Sequence, residues 1–258
     1  MHPILLQFDN FTIHSYGFFI AVGFLVCLFL MRSKARKTGI DPDAVTDIAL
    51  WTLVAGLLGA RLLFVITKWS YYLEHPAALI RIWEGGLVFY GGFLSGLAVF
   101  IWQVRRKKLE LWELLDLAAP SLAIAHFFGR IGCFLAGCCF GKPTDGVTWC
   151  SVVFTNPNGI APLNIPLHPT QLYDAVNNLL LFFALEYVYR RRRFTGQIFC
   201  IYLAWYALGR IVVETFRGDD VRGFVLFPWL STSQFIAAMM LVAALALIWR
   251  RRLSTLAR

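Results

Sequence analysis

Charge is what this sequence is short of. Only 15% of its 258 residues are Asp, Glu, Lys or Arg, against about 25% in an ordinary soluble domain. Most of the chain therefore cannot be water-facing surface. No basic leader precedes the first apolar run and no small-residue cleavage site follows it, so that run is expected to stay as a span rather than to be removed as a signal peptide. The cysteines form no Cys-x-x-Cys pair, so the spacing does not announce zinc, and neither metal nor cofactor is expected. No internal repeat points to an inverted-repeat transporter. The formal charge of +9 comes without a basic–aromatic groove or a nucleic-acid motif, which excludes nucleic acid as a partner.

What is abundant is apolar: 59% of the residues are hydrophobic, gathered in long blocks rather than in one helical stripe. The blocks cover 13–31, 44–68, 86–104, 113–135, 172–189, 197–216 and 232–248. Each is near the roughly 20 residues that cross about 30 Å of hydrocarbon as a helix. The expected fold is an all-α membrane protein with seven transmembrane helices, one polytopic domain over residues 1–258. Basic runs follow alternate blocks: Arg32, Lys34, Arg36 and Lys37; Arg105 to Lys108; Arg190 to Arg193; and Arg250, Arg251, Arg252 and Arg258. The opposite loops hold only Arg81, Lys142 and Arg222, with Lys68 and Arg217 at block ends. By the positive-inside rule, the N-terminus is expected outside and the C-terminus in the cytoplasm. Two long connections, 69–85 and 136–169, then lie outside. The second holds Pro143, Pro157, Pro162, Pro166 and Pro169 together with Trp149, Val152, Val153 and Phe154, which reads as an ordered, turn-rich cap.

Ionisable groups inside spans normally face a bundle interior or a wet cavity. With this orientation Arg61, Arg130, Arg210, Glu214 and Arg217 fall in the outer halves of their spans, while Glu186 reads as interfacial. Tyr16, Tyr90 and the stretch from His168 to Tyr173 begin inward-running spans at a similar depth. Tyr206, Arg210 and Glu214 share one helix face, as do His126 and Arg130. Guanidinium groups stay charged and grip phosphate with paired donors, so the layer suits a phospholipid headgroup. Taken singly, Arg210 with Glu214 reads equally well as an intrahelical pair, and Arg61 as a snorkelling anchor. As a set, with Glu214 the only expected neutralising carboxylate, the arginines favour an anionic ligand. The glycines at 85, 86, 91, 92 and 96 and at 129, 132, 137 and 141 permit close helix approach or close approach of backbone to a ligand.

The run Gly129-Arg130-Ile131-Gly132-Cys133-Phe134-Leu135-Ala136-Gly137-Cys138-Cys139-Phe140-Gly141 resembles a signature of the bacterial prolipoprotein diacylglyceryl transferases. So do His168-Pro169-Thr170-Gln171-Leu172-Tyr173, the paired glycines between Gly85 and Gly92, and the segment from Tyr206 to Arg217. The blocks occur in the family's order along essentially the whole chain. The resemblance implies a transferase of the bacterial cytoplasmic (inner) membrane, with its site near the periplasmic face. Its partners would be phosphatidylglycerol, among the membrane lipids, and preprolipoprotein signal peptides bearing a lipobox cysteine. The diacylglyceryl group passes to that cysteine, a thioether forms and glycerol phosphate leaves. Carried over, the catalytic set is Arg130, Arg210, Tyr90, Tyr16 and His168. Tyr206, Glu214, Arg217, Arg61, Cys133 and Gly137 join Arg130 and Arg210 in binding the lipid. Two positions depart from the family: Tyr90 stands where a histidine is usual, and Cys133 where an asparagine is. The base for the substrate thiol is left among Tyr90, His168 and direct thiolate formation in the arginine field. Competing readings are a membrane thiol–disulfide protein using the outer cysteines as a redox relay and a diverged, inactive paralogue; separately, the outer cysteines are left open between packing residues and a disulfide involving Cys150.

Overall fold

A computed structural model describes residues 1–8, 11–81, 85–218, 224–226 and 230–256. Arg222 and Arg258, counted above in the loop charges, lie outside those residues. The order of elements is β1 (Ile4–Phe8), β2 (Phe11–His14), α1 (Ser15–Thr38), α2 (Pro42–Thr67), α3 (Trp69–Glu74), a 3-10 turn over Pro76–Ile80, α4 (Phe89–Arg106), α5 (Leu111–Ala136), β3 (Val152–Val153), β4 (Pro166–Leu167), α6 (Thr170–Tyr189), α7 (Gln197–Thr215), β5 (Phe224–Leu226), β6 (Leu230–Ser231) and α8 (Thr232–Leu256). Among the described residues the strands form only three antiparallel pairs, β1 with β2, β3 with β4 and β5 with β6. The protein is an all-α membrane protein. Each of the seven apolar blocks coincides with one helix, and five helices (α1, α2, α5, α7 and α8) are long and apolar enough to cross a bilayer. Helix α4 spans 18 residues and ends in Gln103, Arg105 and Arg106. Helix α6 spans 20 residues and carries Gln171, Asp174, Asn177, Asn178 and Glu186. Their polar content separates these two from the other five.

Burial is inverted relative to a soluble protein. Phe29 is 70% exposed, Leu62 61% and Val242 64%, whereas Asp116 and Gln171 are fully buried. Apolar side chains turned outward suit a hydrocarbon solvent, and polar ones turned inward must find partners there.

The chain divides into two compact units, Met31–Leu114 and Met1–Leu30 with Leu115–Arg258. In the first, α2 starts where Pro42 occupies the first turn and the Asp41 carboxylate accepts from the Asp43 amide at 2.9 Å, a capping arrangement that satisfies an otherwise orphaned donor. Helices α2 and α4 approach through small residues. A Cβ on Gly91 would lie 2.6 Å from Leu63 Cβ, and one on Gly92 2.9 Å from the Gly56 carbonyl. Ser95 Oγ donates across the seam to the Ala55 carbonyl at 2.8 Å. Close approach is thus the role of these glycines.

In the second unit, α5 and α7 are tied by a carboxylate. Asp116 Oδ2 accepts from the Gly196 amide at 2.8 Å and Oδ1 from the Phe199 amide at 2.9 Å, with Arg192 Nη1 at 3.6 Å. Gly196 has φ +91°, a left-handed conformation, so Asp116 does from another helix what a local cap usually does. Asp116→Ala leaves buried amides and a guanidinium without their acceptor. It is expected to cost about 3 kcal/mol, read as a lower thermal unfolding midpoint in detergent. Asp116→Asn, which keeps one acceptor, is expected to lose less; a wild-type midpoint for the alanine variant contradicts this account.

Residues 137–169 contain no helix. They are organised by the β3–β4 pair, with further bridges between Pro143 and Leu167 and between Phe154 and Leu163. Phe154, Ala161 and Leu167 are buried together, with Met1, Phe140 and Val152 packed against them. Asn156 Nδ2 donates to the Met1 carbonyl at 3.0 Å, binding this segment to the chain's first residue.

Candidate active site

The residues singled out from sequence divide between the two units. Arg61 and Tyr90 belong to Met31–Leu114; the others belong to the larger unit. Tyr90 stands in the first turn of α4, 60% exposed, edge-on to Phe89. Arg61 is buried and fully employed. Its Nε donates to the Leu79 carbonyl at 3.2 Å, Nη1 to Gly85 at 2.7 Å and Gly86 at 3.3 Å, and Nη2 to Ala78 at 2.6 Å and Arg81 at 3.3 Å. Phe64 and Tyr72 lie against its cationic face. Gly85 and Gly86 have φ of +88° and +77°, which lets their carbonyls converge on the guanidinium. Arg61 clamps a loop.

In the larger unit, Arg130 on α5 pairs with Asp174 on α6, Nη2 to Oδ2 at 3.0 Å. Tyr206, Cys133 and Cys139 are close enough to act on its charge, and the His126 ring lies 5.7 Å from that of Tyr206. Arg210 on α7 is buried, with Nη2 at 2.6 Å from Glu214 Oε2 one turn on and at 3.2 Å from Ser233 Oγ. Ser231 Oγ donates to the other Glu214 oxygen at 3.1 Å. The intrahelical pair read from sequence is therefore present, but the expectation that Glu214 alone neutralises the arginines is corrected: Asp174 does so for Arg130. Sequence reasoning passed over Asp174 and Asp116, although an acidic residue inside an apolar block is itself the signal.

Arg217 is buried at the end of α7. There Gly141 bridges to Arg217, the Lys142 amide donates to the Phe216 carbonyl at 2.8 Å, and the Gly141 amide donates to the His168 carbonyl at 2.9 Å. His168 is thus laced to the family-like run around Arg130. Tyr173 gives its single hydroxyl proton to the Cys150 carbonyl at 3.1 Å, so the His168 Nδ1 at 3.1 Å must be the donor to Tyr173. In the neutral ring this leaves Nε2 as the unprotonated nitrogen.

Helix α5 ends in a Schellman turn. Gly137, at φ +73°, gives its amide to Phe134 at 3.2 Å, and Cys138 gives its amide to Cys133 at 3.1 Å, the paired bonds of that motif. The motif sets the residue after the turn over the one five positions earlier. Here both are cysteines, and Cys139, itself at φ +60°, completes a group of three sulfurs within 4.8 Å of one another. Gln171 Nε2 holds the Cys138 carbonyl at 2.7 Å and Thr170 Oγ1 the Cys139 carbonyl at 2.8 Å. Tyr16, about half exposed, lies within electrostatic range of all three thiols and of Arg130. All six cysteines are free thiols, Cys150 included.

Hydrogen bonds from the Cys133 and Cys138 thiols, followed by the charges of Arg217 and Arg130, hold the Cys139 thiol well below the ordinary range against the effect of burial. Hydrogen bonds with Cys133 and with Cys139, together with burial, push Cys138 up. A lowered value keeps the thiolate populated at pH values where an ordinary thiol, near pKa ~8.5, is protonated. Iodoacetamide at pH 6 in chelator-containing buffer is therefore expected to label Cys139 well before Cys138. Peptide mass analysis reads the order, and Cys138 labelled first would contradict it.

These features describe a multi-span membrane protein with cationic side chains set among buried carboxylates, tyrosines and thiols at the ends of α5 and α7. The sequence profile of the family described as prolipoprotein diacylglyceryl transferase matches residues 3–250. A phosphatidylglycerol–prolipoprotein diacylglyceryl transferase of Clostridium tetani (strain Massachusetts / E88) is 38% identical over 242 residues, covering 94% of each chain. A protein of that name from Synechococcus elongatus is 34% identical, covering 96% of this chain and 86% of its own. A second enzyme of that name in Clostridium perfringens (strain 13 / Type A) is 32% identical, covering 96% and 94%. The chain belongs to the prolipoprotein diacylglyceryl transferase family.

Proposed function

We propose that this protein transfers the diacylglyceryl group of phosphatidylglycerol to the lipobox cysteine of a preprolipoprotein, forming a thioether and releasing glycerol phosphate. The reading places it in the bacterial cytoplasmic membrane as one polytopic domain with seven crossings, α4 and α6 included. The N-terminus is outside, residues 136–169 form an external cap, and the site is near the periplasmic face, where a translocated signal peptide presents its cysteine. The basic runs after alternate helices support that orientation.

The observation that carries the reading is the pair of arginines each held by its own carboxylate, Arg130 by Asp174 and Arg210 by Glu214. A guanidinium offers five N–H donors in a fixed plane. Each carboxylate fixes the plane of its guanidinium, the geometry in which such a group meets phosphate with paired donors. In the transfer step the substrate sulfur attacks the glyceryl carbon that bears the phosphate ester. The C–S bond forms as the C–O bond breaks, and the electron pair departs on the phosphate oxygen. Arg130 and Arg210 meet the charge that develops there, the kind of preorganised electrostatic help that is usually the largest catalytic contribution. Arg217, Tyr206, Glu214, Cys133 and Gly137 border the headgroup, and Tyr16 stands beside the thiols. Arg61 gives its donors to carbonyls between residues 78 and 86 and holds that loop. The substrate thiol loses its proton to His168 Nε2, to Tyr90, or directly to solvent in the field of the arginines. Tyr90 enters through the family resemblance alone.

The test is transfer in vitro, with purified protein, labelled phosphatidylglycerol and a lipobox peptide. Label on the peptide with wild-type protein, and none with a peptide whose cysteine is serine or with Arg130→Ala or Arg210→Ala, is the expected result. A folded wild-type protein that transfers nothing beside an active reference enzyme overturns the reading.

A further inference from the structure

Three sulfurs lie together at the end of α5, and of these only Cys133 has been given a place so far, at the border of the headgroup. Cys133 and Cys138 face one another because the Schellman turn at Gly137 imposes it, and Cys139 joins them through its left-handed backbone. All three are free thiols with their sulfurs within 4.8 Å of one another. Sulfurs bound to one tetrahedral Zn²⁺ at about 2.3 Å stand about 3.8 Å apart, so closing the group on an ion asks for rotamer shifts of about 1 Å at most. The cluster is backed by rigid supports: Gln171, fully buried, and Thr170 hold the Cys138 and Cys139 carbonyls. The other end of that amide, Gln171 Oε1, is a buried acceptor with no hydrogen-bond partner among the described residues. Three thiolates around a dication leave one negative charge, and Arg130 and Arg217 are close enough to offset it.

We propose that Cys133, Cys138 and Cys139 form a three-thiolate site for one soft divalent cation of the zinc class, whose fourth position accepts the thiol of the peptide substrate. Thiolate ligands select such ions, and sites with three protein ligands and an open position are the catalytic kind. The fourth-ligand half rests on the transferase reading and deepens it, because a metal-bound thiol is deprotonated outright. On binding, the substrate thiol releases its proton to solvent. Its metal-held sulfur then attacks the glyceryl carbon, and the C–O bond breaks with its electrons leaving on glycerol phosphate.

The test uses the full chain in detergent, loaded with Zn²⁺ and then freed of excess, with zinc measured per protein by mass spectrometry. About one equivalent is expected for wild type and for Cys150→Ser, falling several-fold in Cys133→Ser and in Cys139→Ser. With Co²⁺ in place of Zn²⁺, wild type is expected to show thiolate-to-cobalt charge-transfer absorption. A lipobox peptide should shift that absorption, and its cysteine-to-serine counterpart should not. The cobalt spectrum of the wild type keeps the idea exposed even where a variant fails to fold. No retained zinc, zinc retained equally by Cys139→Ser, or an intact mass showing two of the three thiols oxidised to a disulfide overturns the site. Full transfer by protein measured as metal-free overturns the site's catalytic role and leaves the transferase reading standing. Zinc held by the three cysteines in a wild-type protein inactive beside a working reference enzyme supports the site and overturns the transferase reading instead.

Discussion

Arg210→Ala is expected to lower lipid transfer by at least a hundred- to a thousandfold. Removing one preorganised donor that meets developing oxyanion charge costs about that much in rate. Here the loss is compounded, because the Arg210 side chain is buried and its departure leaves Glu214 without its 2.6 Å partner. Among the described residues Glu214 would keep only the Ser231 hydroxyl. Breaking such a buried ion pair costs about 3–5 kcal/mol of stability, so the alanine variant alone does not separate chemistry from folding. Arg210→Lys does. Lysine keeps the charge for Glu214 but lacks the planar fork that matches phosphate. Near-normal unfolding with transfer still down at least tenfold is the expected pattern. A lysine variant of wild-type rate would show that Arg210 serves Glu214 and the helix rather than the lipid. Arg130→Lys, with Asp174 in place of Glu214, is expected to follow the same course.

The second large effect is expected at a residue with no side chain. A Cβ on Gly141 would lie 2.6 Å from His168 Cβ, 2.6 Å from the His168 carbonyl oxygen and 2.7 Å from the Phe216 carbonyl oxygen. Two of these neighbours are backbone on separate segments, so neither yields without moving the chain that carries Arg217 or His168. Gly141→Ala is expected to cost about 3 kcal/mol and to lower transfer together with the unfolding midpoint. Gly146→Ala provides the comparison. That position has nothing within 4 Å and only a left-handed φ of +87°, for which a loss of about 1 kcal/mol and little change in transfer are expected. Equal effects at the two glycines would remove the lacing of residues 141, 168 and 217 from the account of the site.

The helices were legible because hydrophobic blocks of spanning length have few other uses, and each block read from sequence coincides with a helix. Less legible were the polar residues within them. Asp116 and Asp174 sit in apolar blocks beside more conspicuous arginines, and only the fold reveals that each has a partner on another segment. Arg61 was visible as a buried-span arginine, yet its carbonyl partners come from residues 78–86, whose convergence no local pattern encodes. The thiol group was hidden for a different reason. Cys133-x₄-Cys138-Cys139 matches no familiar ligand spacing, and the three meet only because a helix terminates at Gly137 with a left-handed turn.

The link between Asp116 and the start of α7 bears on how the molecule is made. Eighty residues separate the carboxylate from the Gly196 amide it receives. A ribosome adding roughly 5–20 residues each second delivers those partners several seconds after α5 has left it. Throughout that interval the Asp116 carboxylate lacks the two amides that hold it in the finished protein. Gly196 and Phe199, once made, supply those amides and tie the start of α7 to α5. Assembly of the carboxy-terminal half thus has a latch that closes late, and a chain truncated before residue 196 would reach the membrane with that latch open.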